Sequence, residues 1–262
     1  MPVRAPGKRL KITVVIPTYN EAENLPRLVS ALFSLSLDLR MLVVDDNSPD
    51  GTGNIADELA RQHTGRISVI HREGKLGLRT AYLEGFAFTL KTDVDVIVQM
   101  DADFSHDPAV LVAMSERLAS CDLVIGSRYV QGGSVDDHWP FWRKGLSGFG
   151  NFYARTILQI PLRDVTTGYR MWCRETLEGM PLERIKSSGY IFLVEMAYLA
   201  YCLEYEVGEV PIYFADRRWG KSKMSLGIQA EAAARVWQVL WDYRDLRKAG
   251  KAARVKRQGI NA

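Results

Sequence analysis

The sequence predicts an α/β domain, a mostly parallel sheet flanked by helices, and three observations carry that reading. Short apolar runs alternate with helix-favouring stretches through the first half of the chain. Those runs are continuously apolar rather than alternating, as in strands covered on both faces. A polar cluster follows where each run stops, which is where open parallel sheets gather their ligands.

Taken in order, 12–16 is a β-branched run closed by Pro17, and helix-favouring residues occupy 21–35. The run 41–44 ends at Asp45-Asp46. A turn over Asn47-Ser48-Pro49-Asp50-Gly51 leads to a helix at 55–62, with Asp50 read as a turn residue. A third strand spans 67–70, a helix 81–90, a fourth strand 94–100, a helix 109–118 and a fifth strand 123–125. Pro17 to Glu21, Asp45-Asp46, His71-Arg72, Asp101 to Asp103 and Arg128 occupy the strand ends and form one polar rim. Near the C-terminus Val236, Val239, Leu240 and Tyr243 recur at helical spacing, predicting an amphipathic helix over 226–246.

The 262 residues, 47% hydrophobic and 25% charged, suit one sizeable domain. The expected division is a basic tail at 1–10, a main domain at 11–225, the helix at 226–246 and a second basic tail at 247–262. Three widely spaced cysteines (Cys121, Cys173, Cys202) argue against a disulfide framework or a zinc site. The first residues lack the apolar stretch of a secretory signal, and no apolar run reaches the length that spans a bilayer. A cytoplasmic setting is expected, peripheral on a membrane's cytosolic face. Net charge is only +3 and no nucleic-acid partner is expected, but both tails are cation-rich and acid-free and could meet an anionic surface.

Asp101 and Asp103 stand one residue apart at the end of an apolar strand. Strand alternation sends i and i+2 to one side, so the two carboxylates can converge on one hard cation. Mg²⁺ is commonly held by one or two carboxylates together with substrate phosphates. Acidic pairs are also common in turns, so the pair gains weight only from the rim around it. No G-x-G-x-x-G follows the first strand and no G-x-x-x-x-G-K-[ST] occurs, so neither the dinucleotide fingerprint nor the P-loop is present. G-x-S-x-G is absent as well.

The motifs at 14–21, 43–52, 74–78, 101–108 and 126–129 together resemble the GT-A glycosyltransferases of family two. Those at 164–170, 189–192 and 217–223 are similar to the dolichol-phosphate (polyprenol-phosphate) mannose synthases within it. The resemblance implies that Pro17, Tyr19 and Glu21 hold base and ribose, with Val44 and Asp46 in a second nucleotide-contacting loop. It implies that Asp101, Ala102 and Asp103 bind the donor and a Mg²⁺ or Mn²⁺ ion, that Arg128 lies at the reacting phosphate, and that Arg217 and Lys223 close over the diphosphate. Tyr19 fits simple packing equally well, and Arg217 and Lys223 also fit a solvated basic loop. Two positions depart from the family pattern. Ser105 stands where some relatives place a glutamine ligand, which weakens a third metal contact. Arg79 replaces a glycine, so either the turn differs or Arg79 reaches a phosphate.

The reaction so implied is mannosyl transfer from GDP-mannose to a dolichyl or polyprenyl monophosphate with inversion. The alternatives are a UDP-glucose-dependent enzyme of the same fold and a non-catalytic nucleotide-sugar-binding protein. A phosphate acceptor is already ionised near neutral pH (second pKa about 6), so no general base is needed. Trp139, Phe141, Trp142, Phe149, Phe152, Tyr153 and Ile157 mix with cations as interfacial helices do, and either point to a membrane surface or complete the core. The 236–243 stripe is read either as core or as lying on anionic lipid or on a small integral-membrane partner protein.

Overall fold

The computed structural model describes residues 9–216 and 226–250. Arg217, Lys223 and most of both basic tails lie outside the described residues. Each expected strand is present, as β1 (Lys11–Thr18), β2 (Asp38–Asp45), β3 (Ile67–His71), β4 (Val96–Gln99) and β5 (Leu123–Ser127). The helices between them are α1 (Leu25–Phe33), α2 (Thr52–Gln62), α3 (Leu78–Thr89) and α4 (Val110–Arg117). α1 starts later than composition suggests because residues 22–24 form a turn that delivers Pro26 to its first turn, where the missing N–H costs nothing.

The second half adds β6 (Ser134–Val135), α5 (Phe141–Leu158), β7 (Arg170–Cys173), α6 (Arg174–Gly179), α7 (Gly189–Cys202), β8 (Val207–Pro211), β9 (Tyr213–Phe214) and α8 (Leu226–Asp242). The seven-stranded sheet runs β3-β2-β1-β4-β7-β5-β8. All pairs are parallel except those of β7, which lies antiparallel to both β4 and β5. β6 and β9 form a separate parallel pair beside it.

One face of the sheet buries Val15, Ile97, Leu123, Ile125 and Trp172 under α3, α5 and α7. The other buries Val14, Ile16, Val98, Val124 and Met171 under α1, α2 and α4. Helix α3 lies very close to the sheet: a Cβ on Gly85 would stand 2.5 Å from Val15 Cγ1. α7 is buried on every side from Phe192 to Ala200, which identifies it as a central helix with no amphipathic period to betray it.

Packing decides two places that the sequence left between core and membrane surface. Val236, Val239 and Tyr243 are core residues and Leu240 packs beside them, so that stripe does not lie on lipid. Trp237 and Trp241 point outward instead. Trp139 is likewise buried, edge-on to Phe214 and under the Arg143 guanidinium, while Phe141 and Trp142 are exposed.

Candidate active site

The carboxyl ends of β1, β2, β4 and β5 open onto one rim. Loop 18–24 and loop 45–52 are stitched together there. Thr18 Oγ1 donates to Asp45 Oδ1 (2.8 Å), Ser48 Oγ to the same oxygen (2.6 Å), and the Glu21 amide to Thr52 Oγ1 (2.9 Å). Asp50 accepts from Thr52 and from the Ala22 amide, which holds its carboxyl below the usual range against the opposing effect of burial. It is a turn residue, as expected, and also a tie between the loops. Tyr19 carries the Lys75 ammonium 3.7 Å above its ring, and Glu21 accepts from Asn24 (2.7 Å). Pro17 is half-buried at the end of β1, alongside buried Val44 on β2.

Asp46 is buried and bound to Arg72 through a short ion pair, and Gly77 donates its amide to the second oxygen (3.2 Å). Arg72 also reaches Thr80 Oγ1 (2.6 Å) and Glu84 (3.1 Å). Arg72 is therefore the organiser of this loop, and the sequence reading saw it only as a strand-end cation. The positive φ of the turn falls on Gly77 (φ 91°), not on Arg79. Arg79 sits in the first turn of α3 and donates to the carbonyls of Ile185 (3.3 Å) and Lys186 (2.9 Å). It thus ties two segments together, and the turn is not distorted by it.

β4 ends at Gln99, so alternation does not place Asp101 and Asp103. They sit in a turn with Phe104 at φ 59°, in the left-handed region. The Asp101 amide donates to His106 Nδ1 (3.1 Å), the Ser105 amide to Asp103 Oδ1 (3.0 Å), and Tyr82 Oη to Asp101 Oδ1 (3.3 Å). Burial, and then the charges of Asp101 and Asp103, push the Tyr82 hydroxyl well above its ordinary pKa, so it stays a neutral donor. His106 stacks on Tyr169 at 4.8 Å and holds the far side of the turn. Ala102 is buried behind the carboxylates, and Gly168 faces Asp101 with room for a Cβ only 3.7 Å from Oδ1.

Arg128 is buried and forked onto Asp164, with Nε to Oδ2 at 2.7 Å and Nη2 to Oδ1 at 2.9 Å. Nη2 also reaches Thr166 Oγ1 (2.6 Å), and the Arg128 amide donates to Asp164 as well (3.1 Å). Burial alone would lower Arg128 and raise Asp164; their mutual charge and hydrogen bonds prevail and keep both ionised. Glu209 on β8 fixes this loop by accepting the amides of Arg163 and Asp164 (2.8 and 3.0 Å). Asp164 is thus a second residue whose part sequence reasoning missed. The sequence reading had it only as the first residue of the 164–170 motif; its pairing could not be read, since the partner is 36 residues away. Beside the pair, Arg143 chelates Asp216 (3.0 and 3.1 Å), and Tyr129 Oη bonds Ser147 Oγ (2.9 Å).

Among the described residues no group of three or more His, Cys, Asp or Glu side chains converges on an ion. The turn instead supplies two carboxylates and the buried Ser105 Oγ, which has no hydrogen-bond partner among the described residues.

Comparison with solved structures defines the class. Glucosyl-3-phosphoglycerate synthase from Mycobacterium tuberculosis, solved with Mn²⁺, UDP and glucosyl-3-phosphoglycerate, superposes with a TM-score of 0.59 at 19% identity, covering 88% of this chain and 78% of that one. A second crystal structure of the same enzyme gives 0.58 at 20% identity, covering 88% and 79%. The fold is GT-A. The family model "Glycosyl transferase family 2" matches residues 13–180, and the chain belongs to that family. Polyprenol monophosphomannose synthase of Mycolicibacterium smegmatis is 46% identical over 224 residues, 85% of this chain and 84% of that protein. Undecaprenyl-phosphate mannosyltransferase of Micrococcus luteus is 44% identical over 227 residues, 87% and 93% of the two chains.

Proposed function

We propose that the chain transfers mannose from GDP-mannose to a polyprenyl monophosphate with inversion, giving a β-linked polyprenyl mannosyl phosphate and GDP. The observation that carries it is the pairing of 46% identity to a polyprenol monophosphomannose synthase with an Asp101/Asp103 turn set on the strand-end rim. Pro17, Tyr19, Glu21, Val44 and Asp46 would bind the nucleoside. Asp46 is already committed to Arg72, so the pair would read the base as a unit. Asp101 and Asp103, with Ser105 Oγ nearby, suit a Mg²⁺ or Mn²⁺ ion whose remaining ligands are diphosphate and water. When bound, that ion offsets the charge developing on the leaving diphosphate.

The chain's own groups do the rest. The acceptor phosphate oxygen needs no base, so the task is to hold it in line with the anomeric carbon and to stabilise departing charge. Arg128, rigid on Asp164, would present a fixed positive edge to the acceptor phosphate, and Arg217 and Lys223 would close over the diphosphate. The non-catalytic alternative is disfavoured by the intact carboxylate pair.

The acceptor is a lipid, and an aromatic ridge offers a way onto its membrane. Phe141 (86% exposed), Trp142, Phe149 and Phe152 on α5 meet Trp237 and Trp241 (68% exposed) on α8. Tyr153 joins the two helices, accepting from Trp237 Nε1 (3.0 Å) and donating to the Ala233 carbonyl (3.2 Å). An apolar patch of this kind marks an interaction surface, and aromatics of this type sit at lipid interfaces. No helix of the described residues is long and apolar enough to cross a membrane. The test is incubation with labelled GDP-mannose or UDP-glucose, polyprenyl phosphate and Mn²⁺, followed by butanol extraction. Label should enter the lipid phase from GDP-mannose; uptake from UDP-glucose alone would replace the donor assignment.

A further inference from the structure

We propose, resting on the acceptor and donor assignments above, that Phe214 is a positioning residue whose ring fixes the gap between Arg128 and the Asp101/Asp103 turn. The ring bears on both arms of the site. The Arg128 guanidinium carbon stands 5.2 Å from its centroid, within cation–π reach. His106 meets it edge-on at 5.6 Å between centroids, and His106 Nδ1 accepts the Asp101 amide (3.1 Å). Trp139 is also edge-on to it, at 5.8 Å.

The backbone that carries the ring is held as well. β9 pairs with β6, which sets Phe214 opposite Val135, and the Phe214 carbonyl accepts the Asp136 amide (2.9 Å). Asp136 Oδ2 accepts the Asp216 amide (2.8 Å), and Arg143 on α5 binds the Asp216 carboxylate. The chain entering β6 packs directly on the Arg128 backbone. A Cβ on Gly133 would stand 2.5 Å from the Ser127 carbonyl oxygen and 2.8 Å from the Arg128 carbonyl carbon. The two-stranded sheet is therefore anchored at Arg128, and Phe214 is the side chain through which it meets the support of the turn.

Other contacts hold each arm separately. Asp164 fixes one edge of Arg128, and Tyr169 stacks on His106. The Phe214 ring bears on both at once. An acceptor phosphate at Arg128 must meet the anomeric carbon of a donor whose diphosphate lies on the turn. A misplacement of about 1 Å costs about 10²-fold in a reaction of this kind. A smaller or more flexible side chain leaves Arg128 and His106 free to relax into the space the ring fills.

The test is Phe214→Leu in the full chain, read by mannose transfer to polyprenyl phosphate and by calorimetric affinity for GDP with Mn²⁺. Both kcat and kcat/KM should fall by about tenfold to a hundredfold with KM unchanged, the pattern of an arrangement lost only in the transition state. GDP affinity should stay within about threefold of the native value. In an Arg128→Lys background, where the rigid guanidinium is gone, Phe214→Leu should cost less than about threefold more. A merely structural role would lower GDP affinity along with kcat, or would add its full loss to that of Arg128→Lys. Either result overturns the proposal. If Phe214→Leu does not fold, Phe214→Met, which keeps the bulk but not the flat ring, is held to the same figures. If the native chain transfers no mannose to polyprenyl phosphate, the functional reading falls and this inference with it. Native transfer with an unchanged kcat in Phe214→Leu would defeat the Phe214 role alone.

Discussion

Replacing Arg128 with alanine should unfold the chain more easily as well as slow transfer, because the residue is half of a buried pair. Asp164 is fully buried and takes three hydrogen bonds from Arg128, so truncation strands an ionised carboxylate. Breaking such a pair costs about 3–5 kcal/mol. At about 2–4 °C per kcal/mol for a domain of this size, melting should fall by roughly 6–20 °C. Arg128→Met with Asp164→Leu removes both charges and should recover most of that loss while leaving transfer abolished. Thermal melts and transfer assays on the native chain and the two variants separate the two effects. A native melting temperature for Arg128→Ala would refute the argument, since it would mean that Asp164 needs no partner.

The same pair makes stability pH-dependent. Asp164 is held below its ordinary pKa, so its contribution is present above the unfolded value and lost as pH falls through the folded one. Acid unfolding should therefore begin at higher pH in Arg128→Ala than in the native chain. Gly85→Ala would press a methyl against Val15 and should cost about 1–3 kcal/mol, read by chemical denaturation; a neutral result would show that α3 can shift. Trp237→Ala with Trp241→Ala should weaken binding to anionic liposomes in a way that high salt does not reproduce, whereas deletion of 247–262 should remove the salt-sensitive part. Failure of the native chain to bind such liposomes at low salt would remove both modes and point to a membrane-protein partner.

The first half of the fold was legible because each parallel strand is a continuous apolar run and each run stops at a polar cluster. The second half was not. β7 is four residues long and begins with a buried arginine, so nothing in its composition announces a central strand inserted antiparallel between β4 and β5. α7 is apolar all round and offers no period. In the site, the rim residues could be named from strand ends and family motifs, but their partners could not. Arg72 for Asp46 and Asp164 for Arg128 are pairings across 26 and 36 residues, set by the fold and not by spacing. The aromatic segments were legible as surface candidates but not in detail. Trp139 lies in the loop before α5 and Trp142 in its first turn, and only packing decides that the first is core and the second exposed.

The central claim is that the Asp101/Asp103 turn carries donor binding and transfer to a polyprenyl phosphate. It is met most directly by Asp103→Ala, assayed for Mn²⁺-dependent GDP-mannose binding and for mannose delivered to the lipid phase. Asp103 is buried in the turn and its carboxylate also accepts the Ser105 amide, so the melting temperature is recorded beside both readings. The account predicts a folded protein in which metal no longer improves donor binding and lipid-phase label falls to background. Native turnover with Mn²⁺ in that variant would contradict it.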